Sequence, residues 1–469
     1  MDYISTRGGA SPLDFKGVTL AGLASDGGLF IPREWPQFTH DDIAAMAGLP
    51  YAQVAARVMA PFVGASLAPE RLLELCEAAY GRFAHAAVAP IKQLDERQWL
   101  LELFHGPTLA FKDVALQLLG LLFEEFLKDG DRHLTVVGAT SGDTGSAAIE
   151  ALAGRAHVDV FMLHPRGRVS EVQRRQMTTV LAPNIHNIAI GGSFDDAQAT
   201  VKRMFGDTAM TGRFRISAVN SINWARLMAQ VVYYFTAAVA LGAPHRKIAF
   251  SVPTGNFGDV FAGYVAARMG LPVERLIVAT NVNDILHRAI ASGDYSAQGV
   301  TPTDAPSMDI QVSSNFERLL FDAGGRDGAA MAEQMRGFDG ARAMQLTHAQ
   351  REGAAALFSS ARVDADAMNA AMRWAHHAAG EVIDPHTAIG LYAARAADLP
   401  PHVPVVTLAT AHPAKFGPAV KAATGVDPVL PERLADLHER EERYDVLSGE
   451  YDAIASYVAE RATVSADPA

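Results

Sequence analysis

Residues 247–262 read KIAFSVPTGNFGDVFA, and this stretch decides the fold class. The apolar segment 247–252 predicts a buried strand, and residues 260–269 place apolar side chains at helical spacing. Only the loop PTGNFGD, residues 253–259, separates the two elements. A strand that passes through a short loop into a helix is the repeating unit of parallel α/β sheets.

The same alternation recurs along most of the chain. Parallel strands need crossover connections, usually helices, so the sequence predicts an α/β protein with largely parallel sheets. In such sheets, ligands bind beyond the carboxyl ends of the strands. The predicted strands are 133–137, 158–163, 185–190, 214–219, 247–252, 275–280 and 403–408, and the predicted helices include 114–126, 145–152, 194–205, 225–241 and 260–269.

The composition narrows the functional classes. Asp and Glu number 52 against 40 Lys and Arg, a net charge of −12, and no dense basic run occurs. We therefore expect no nucleic-acid or anionic-membrane binding, because counterion release at phosphates needs clustered cations. The single cysteine, Cys76, excludes an internal disulfide and a cysteine-cluster metal site, and no metal site is predicted. It fits a reducing cytoplasm.

Two segments bear on membranes and targeting. The charge-free run 227–244 approaches the length of a membrane span, but it is Ala-rich and has no second segment like it. We interpret it as a buried helix. The start, MDYISTRGGASPLDF, has no apolar core behind basic residues, so no signal peptide is predicted.

The loop 253–259 has the composition of an anion-binding loop. Its glycines allow successive backbone N–H groups to converge on one oxyanion, and the following helix adds its N-terminal donors. It matches neither the dinucleotide fingerprint nor the Walker A pattern. The carboxylate of Asp259 cannot face a phosphate, so it is expected to cap the helix or to contribute only its N–H. The alternative is an ordinary tight turn.

Two further segments could carry chemistry. Residues 139–146, ATSGDTGS, follow a predicted strand and contain four hydroxyl side chains, which could bind an anionic substrate group. The alternative is an ordinary helix start, because Ser, Thr and Asp are common N-cap residues. In residues 105–113, HGPTLAFKD, Lys112 lies between Phe111 and an apolar helix. Desolvation there would lower its pKa and make it a nucleophile. The alternative is a snorkelling lysine or an ion pair with Asp113.

Together these features are what pyridoxal phosphate chemistry needs: an amine, a phosphate anchor and a site for an anionic substrate group. The chain resembles the threonine synthase family of fold-type II pyridoxal-phosphate enzymes nearly end to end. The segments that carry the resemblance are STRG 5–8, DGGL 26–29, 105–113, 140–145, GRVSEVQRRQM 167–177, NSINWAR 220–226, 253–259, 309–316 and TAHPAKF 410–416.

The resemblance implies a domain arrangement. An N-terminal domain would span 1–92 and the catalytic core 93–430, built from two open twisted α/β domains. The smaller would lie at about 128–215, and the larger would combine 93–127 with 216–430. A charged helical segment and tail would occupy 431–469. A monomer or homodimer is expected.

The resemblance also implies residue roles. Lys112 would form the Schiff base with pyridoxal 5'-phosphate and shuttle protons. The phosphate of the substrate, O-phospho-L-homoserine, would leave by γ-elimination, and water would add at Cβ to give L-threonine. The other cofactor-binding residues would be Asp143, Gly255, Asn256, Phe257, Gly258, Asp259 and Thr410. The substrate-binding residues would be Thr140, Ser141, Thr144, Ser221 and Arg226.

Two alternatives remain open at this stage. A sister activity, such as a serine/threonine dehydratase or a lyase acting on another amino-alcohol phosphate, would share Lys112 and the phosphate loop. The second alternative is a non-catalytic protein that binds phosphorylated metabolites with a vestigial cofactor site.

Overall fold

A computed structural model describes residues 1–128 and 133–464 and confirms the α/β class with largely parallel sheets. Each predicted strand is present, with ends that differ by no more than two residues. Residues 129–132, at the predicted start of the smaller domain, and 465–469 of the predicted tail lie outside the described residues.

Residues 1–127 open with a two-stranded antiparallel sheet, in which Tyr3–Ser5 pairs with Phe30–Pro32, and continue into a set of helices. The strands are β1 (Tyr3–Ser5), β2 (Phe30–Pro32), β3 (Ile91–Gln93) and β4 (Gln98–Glu102). The helices are α1 (Phe15–Ala21), α2 (His40–Ala44), α3 (Tyr51–Val63), α4 (Pro69–Tyr80) and α5 (Lys112–Leu127), with a 3₁₀ turn at Gly64–Ser66.

The next segment alternates strand and helix, as its sequence predicts. Its strands are β5 (Leu134–Ala139), β6 (Val158–Pro165), β7 (Ile185–Ile190) and β8 (Arg215–Ser217). Its helices are α6 (Asp143–Leu152), α7 (Glu171–Thr178), α8 (Phe194–Gly206) and α9 (Thr208–Thr211).

The remainder carries most of the larger sheet. Its strands are β9 (Ile248–Pro253), β10 (Val273–Thr280), β11 (Asp294–Ser296), β12 (Ala343–Gln345), β13 (Phe358–Arg362), β14 (Val405–Ala409) and β15 (Asp445–Leu447). Its helices are α10 (Trp224–Ala240), α11 (Gly258–Arg268), α12 (Ile285–Ser292), α13 (Phe316–Ala323), α14 (Gly328–Ala341), α15 (His348–Ala355), α16 (Ala365–Ala379), α17 (Pro385–Ala396), α18 (Gly417–Thr424) and α19 (Tyr451–Arg461). Three 3₁₀ turns lie at Pro306–Met308, Pro413–Phe416 and Glu432–Leu434.

Two sheets organise the chain. The larger has the order β13-β10-β9-β14-β4-β3, in which only β3 is antiparallel to its neighbour. The smaller, β15-β7-β6-β5-β8, is parallel throughout. Because parallel strands end at the same edge, the loops after β4, β9 and β14 are brought together.

The C-terminal segment differs from the helical prediction. A helix forms at α19, but Asp445–Leu447 is a strand that extends the smaller sheet beside β7. Strand β15 lies at the edge of the sheet and is mostly exposed, so its sequence carries charged residues and lacks the apolar run that predicts a buried strand. The C-terminal residues thus complete the smaller sheet, and Tyr457 and Ile454 of α19 pack in its core.

The charge-free run 227–244 lies mostly in a buried helix, as predicted, but that helix, α10, ends at Ala240. The N-terminal segment shares the core around it: the ring of Tyr3 lies 5.7 Å from that of Trp224, and Tyr3 donates a hydrogen bond to the carbonyl of Phe62. In the described residues no helix combines the length and apolar character needed to cross a bilayer.

Candidate active site

The site lies at the carboxyl edge of the larger sheet, where the loops after β4 and β14 are joined by backbone. The N–H of Phe111 donates to the carbonyl of Thr410 over 2.9 Å, and Ala110 forms a bridge with Ala411. This pairing fixes Lys112 at the first position of α5, beside the segment that follows β14. Thr410 is buried there.

Lys112 is buried, with 9% of its surface exposed, and its Nζ lies 3.3 Å from Oδ2 of Asp143. Burial lowers the pKa of Lys112, because the charged form loses its hydration. The two alternatives for Lys112, a side chain that reaches solvent and an ion pair with Asp113, are both wrong, because Lys112 is buried and its partner is Asp143. The carboxylate of Asp113 instead accepts hydrogen bonds from the N–H and hydroxyl of Thr108, at 2.8 and 2.7 Å.

Asp143 begins α6 and is held by three side chains. Its Oδ1 accepts from Nζ of Lys415 at 2.9 Å and from the amide of Gln173 at 2.8 Å, while Oδ2 faces Lys112. Burial would raise the pKa of Asp143, but the charges of the two lysines outweigh burial and lower it well below its usual range. Asp143 is therefore ionised at neutral pH.

The hydroxyl-rich loop before α6 has two kinds of residue. The hydroxyl of Thr140 accepts from the N–H groups of Gly142 and Gly145, at 2.9 and 2.8 Å, and so binds the loop to the first turn of the helix, whose N-cap residue is Gly142. Ser141 and Thr144 are half-buried at the same helix start. Thr140 therefore shapes the loop, while Ser141 and Thr144 are partly accessible to an anionic group.

The loop 253–259 has an anion-binding geometry. Phe257 adopts the left-handed region with φ of +62°, and α11 begins at Gly258 with its first N–H groups free of helical partners. A Cβ at Gly255 would lie 2.6 Å from the carbonyl oxygen of Ser307, so only glycine fits. The loop fits a phosphate held by main-chain donors and the helix N-terminus.

Asp259 does not face this loop. Its Oδ1 accepts from the hydroxyls of Tyr233 and Tyr234 of α10, at 2.5 and 3.0 Å, and burial raises its pKa to about 7. Its side chain does not cap α11, since the N-cap residue is Phe257. Only the backbone of Asp259 is left to contact an anion.

Arg226 is a buried cation in the first turn of α10. One nitrogen, Nη1, donates to the carbonyl of Val219 over 2.7 Å, whereas Nε has no partner among the residues that the structure describes. Burial lowers the pKa of Arg226 to about 10, and no carboxylate in ranges 1–128 and 133–464 pairs with it. A buried guanidinium without a counter-charge is costly, so its placement favours an anionic ligand.

Ser221 lies beside the phosphate loop. Its hydroxyl accepts from the amide of Asn315 at 3.2 Å, and the same amide donates to the carbonyl of Asn256 at 3.0 Å. The structure thus brings Ser221 beside the loop of residues 255–259. Arg226 also acts on Lys112 through its charge. The positive charge of the guanidinium contributes to the lowered pKa of Lys112.

Sequence reasoning assigned no role to several residues at the site. Lys415 lies in the segment 410–416, which carries the family resemblance, but the sequence does not show the partners of Lys415 or of His386. His386 donates from Nδ1 to Asp384 at 2.7 Å and accepts from the N–H of Ser307 at 3.3 Å, directly behind Gly255. The only signal in the sequence is position: Lys415 follows the predicted strand 403–408, and His386 lies at the start of a helix.

The comparisons agree with this geometry. The model described as threonine synthase N terminus matches residues 2–80, the pyridoxal-phosphate dependent enzyme model matches 85–363, and the model of the C-terminal part of threonine synthase matches 387–458. The threonine synthase of Pseudomonas aeruginosa is 55% identical, covering 98% of each chain. The chain belongs to the threonine synthase family.

Solved structures of the threonine synthase family have the same fold. The crystal structure of PLP-bound threonine synthase from Brucella melitensis is 51% identical, with a TM-score of 0.96 over 98% of this chain and 99% of that one. The yeast threonine synthase structure is 37% identical, with a TM-score of 0.92 over 98% of each chain. The cofactor is pyridoxal 5'-phosphate, and the buried Lys112 and the phosphate loop are residues that fit it.

Proposed function

We propose that this chain converts O-phospho-L-homoserine and water into L-threonine and phosphate, the last step of threonine biosynthesis. The observation that carries the proposal is Arg226, a buried guanidinium with no carboxylate partner in the described chain. Its planar fork suits the substrate phosphate, which a dehydratase acting on free serine or threonine would not need. Ser221 would contribute a hydroxyl beside it.

The remaining roles are assigned by chemistry and position. The backbone of Gly255, Asn256, Phe257, Gly258 and Asp259 would hold the cofactor phosphate, and Asp143 and Thr410 would contact its ring. Thr140, Ser141 and Thr144 would offer hydroxyl groups to the substrate phosphate, and Thr140 in addition shapes their loop. Because Thr410 is a neutral hydroxyl, elimination and replacement are favoured over transamination.

When bound, pyridoxal phosphate supplies a conjugated system that delocalises the negative charge left at substrate carbon. Lys112, as a neutral amine, would remove the Cα proton, take a second proton from Cβ as phosphate leaves Cγ, and later supply protons to Cγ and Cα. Arg226 and Ser221 bind the phosphate that leaves from Cγ. Water then adds at Cβ, and the buried walls around Lys112 limit competing hydrolysis.

We also propose the domain boundaries 1–92, 93–430 and 431–469, with the smaller α/β domain at about 128–215. The smaller sheet supports the position of that domain, because all its strands except β15 lie between Leu134 and Ser217. A cytoplasmic location and a monomer or homodimer complete the proposal. The single buried cysteine supports a reducing compartment.

Product analysis tests this function. Purified protein loaded with pyridoxal phosphate is given O-phospho-L-homoserine, and phosphate, threonine and 2-oxobutyrate are measured together. Equal amounts of phosphate and threonine are expected. Phosphate with 2-oxobutyrate instead of threonine would indicate a lyase relative, and release of neither product would indicate a binding protein.

A further inference from the structure

A second lysine lies within the site. Lys415, in the 3₁₀ turn Pro413–Phe416 after β14, has no exposed side-chain surface. Its Nζ donates to Oδ1 of Asp143 at 2.9 Å and to the carbonyl of Thr108 at 2.7 Å. The other oxygen of Asp143 lies 3.3 Å from Nζ of Lys112. One carboxylate therefore serves two buried lysines.

We propose that Lys415 is a positioning residue that occupies Asp143 as its closer ion-pair partner and so leaves the amine of Lys112 neutral and free to react. The shorter of the two contacts supports this division, since Asp143 is 2.9 Å from Lys415 and 3.3 Å from Lys112. The proposal rests on the function above, in which Lys112 is the nucleophile.

The surrounding charges act in the same direction. Asp143 faces Lys112 from α6, Lys415 faces it from the turn after β14, and Arg226 is coupled to it from α10. Burial lowers the pKa of Lys112 most, and the charge of Lys415 adds to that effect, while Asp143 opposes it. Asp113, on the helix of Lys112 itself, is bound to Thr108 instead.

Removing Lys415 would leave Lys112 as the only lysine beside Asp143. The pair would then favour the protonated form of Lys112, because an opposite charge nearby stabilises the charged state. The neutral fraction of Lys112 at neutral pH would fall about tenfold for each unit by which its pKa rises. The amine would react more slowly, and the pH at which it becomes reactive would rise.

The test compares wild type, Lys415→Met, Lys415→Arg and Gln173→Met. Each protein is stripped of cofactor with hydroxylamine, and its rate of condensation with added pyridoxal phosphate is followed by absorbance across a range of pH. The titration of the probe itself is common to all four proteins. Gln173→Met is the matched control, because it removes a neutral donor from the same oxygen of Asp143.

We expect Lys415→Met to move the midpoint of the rate profile to higher pH by about one unit and to lower the rate about tenfold at neutral pH. Lys415→Arg, which keeps the charge, should restore most of the wild-type profile, and Gln173→Met should move it much less. The acid limb of kcat/KM should move in the same direction as the rate profile.

An unchanged midpoint in Lys415→Met, or equal shifts in Lys415→Met and Gln173→Met, would overturn the inference while leaving the proposed function intact. Failure of wild type to bind pyridoxal phosphate through Lys112 would instead overturn the proposed function and this inference with it. Circular dichroism verifies that each variant is folded. If Lys415→Met does not fold, Lys415→Gln replaces it, because it also removes the charge but keeps a hydrogen-bond donor toward Asp143. A midpoint about one unit above wild type then supports the inference, and an unchanged midpoint overturns it.

Discussion

The carbonyl oxygen of Ser307 lies so close to Gly255 that a Cβ on the glycine would be 2.6 Å from it. The 3₁₀ turn Pro306–Met308 thus packs directly against the loop 253–259. Ser307 is in turn held by His386, which Asp384 orients. The phosphate loop is therefore backed by a second layer of hydrogen-bonded residues.

Gly255→Ala is expected to weaken pyridoxal phosphate binding by tenfold or more, about 1.4 kcal/mol, because the loop must move away from Ser307. Equilibrium dialysis or fluorescence titration of the cofactor measures this. Gly337→Ala, in α14, is the matched control, since a Cβ there meets nothing within 4 Å. Equal cofactor affinity in the two variants would show that the loop tolerates a side chain.

Arg226→Gln is expected to lower kcat/KM for O-phospho-L-homoserine by about 10- to 100-fold, the worth of charge-assisted hydrogen bonds to a phosphate. Its unfolding midpoint should stay near wild type, because an unpaired buried charge is removed. Steady-state kinetics and urea unfolding measure the two effects.

Arg318→Gln provides the contrast. Arg318 is also buried, but it donates to the carbonyls of Phe30 and Ile222 at 2.9 and 2.6 Å, so its loss should lower stability. If Arg226→Gln destabilised the fold as much as Arg318→Gln and left kcat/KM unchanged, Arg226 would be a structural residue.

Asp259 predicts a pH dependence of stability. Burial raises its pKa in the folded chain to about 7, against about 3.9 in an unfolded chain. Between these values the folded protein binds a proton that the unfolded chain releases, so this carboxyl makes stability fall as pH rises through that window.

Asp259→Asn should remove that fall, since an amide oxygen can still accept from Tyr233 and Tyr234 and carries no titrating group. Urea unfolding midpoints at a series of pH values give the comparison. Parallel curves for the variant and wild type across the window would contradict the assignment.

Much of the fold could be predicted because β5 and β9 are nearly continuous buried runs, and β6, β7 and β10 each contain a buried apolar stretch of β-branched and other large residues. The short strands β4, β13 and β15 could not be predicted from the sequence. Strand β4 reads QWLLE, which fits a helix as well as a strand, and β15 becomes a strand only because β7 offers it an edge.

In the site, too, local features could be predicted from the sequence, whereas contacts between distant segments could not. Loops with a local signature, such as 253–259, could be recognised from spacing and glycine content. The pairing of Lys415 with Asp143 could not, because the two residues come from distant segments that only the folded sheets bring together. Likewise, nothing local to Asp259 shows that its carboxylate turns toward two tyrosines of α10.

The most direct test of the central claim is the conversion of O-phospho-L-homoserine by wild type and Lys112→Ala, side by side and both supplied with pyridoxal phosphate. We expect threonine and phosphate in equal amounts from wild type. From Lys112→Ala we expect no threonine above background and no covalently bound cofactor after borohydride reduction. Threonine production by Lys112→Ala at a rate near wild type would contradict the account.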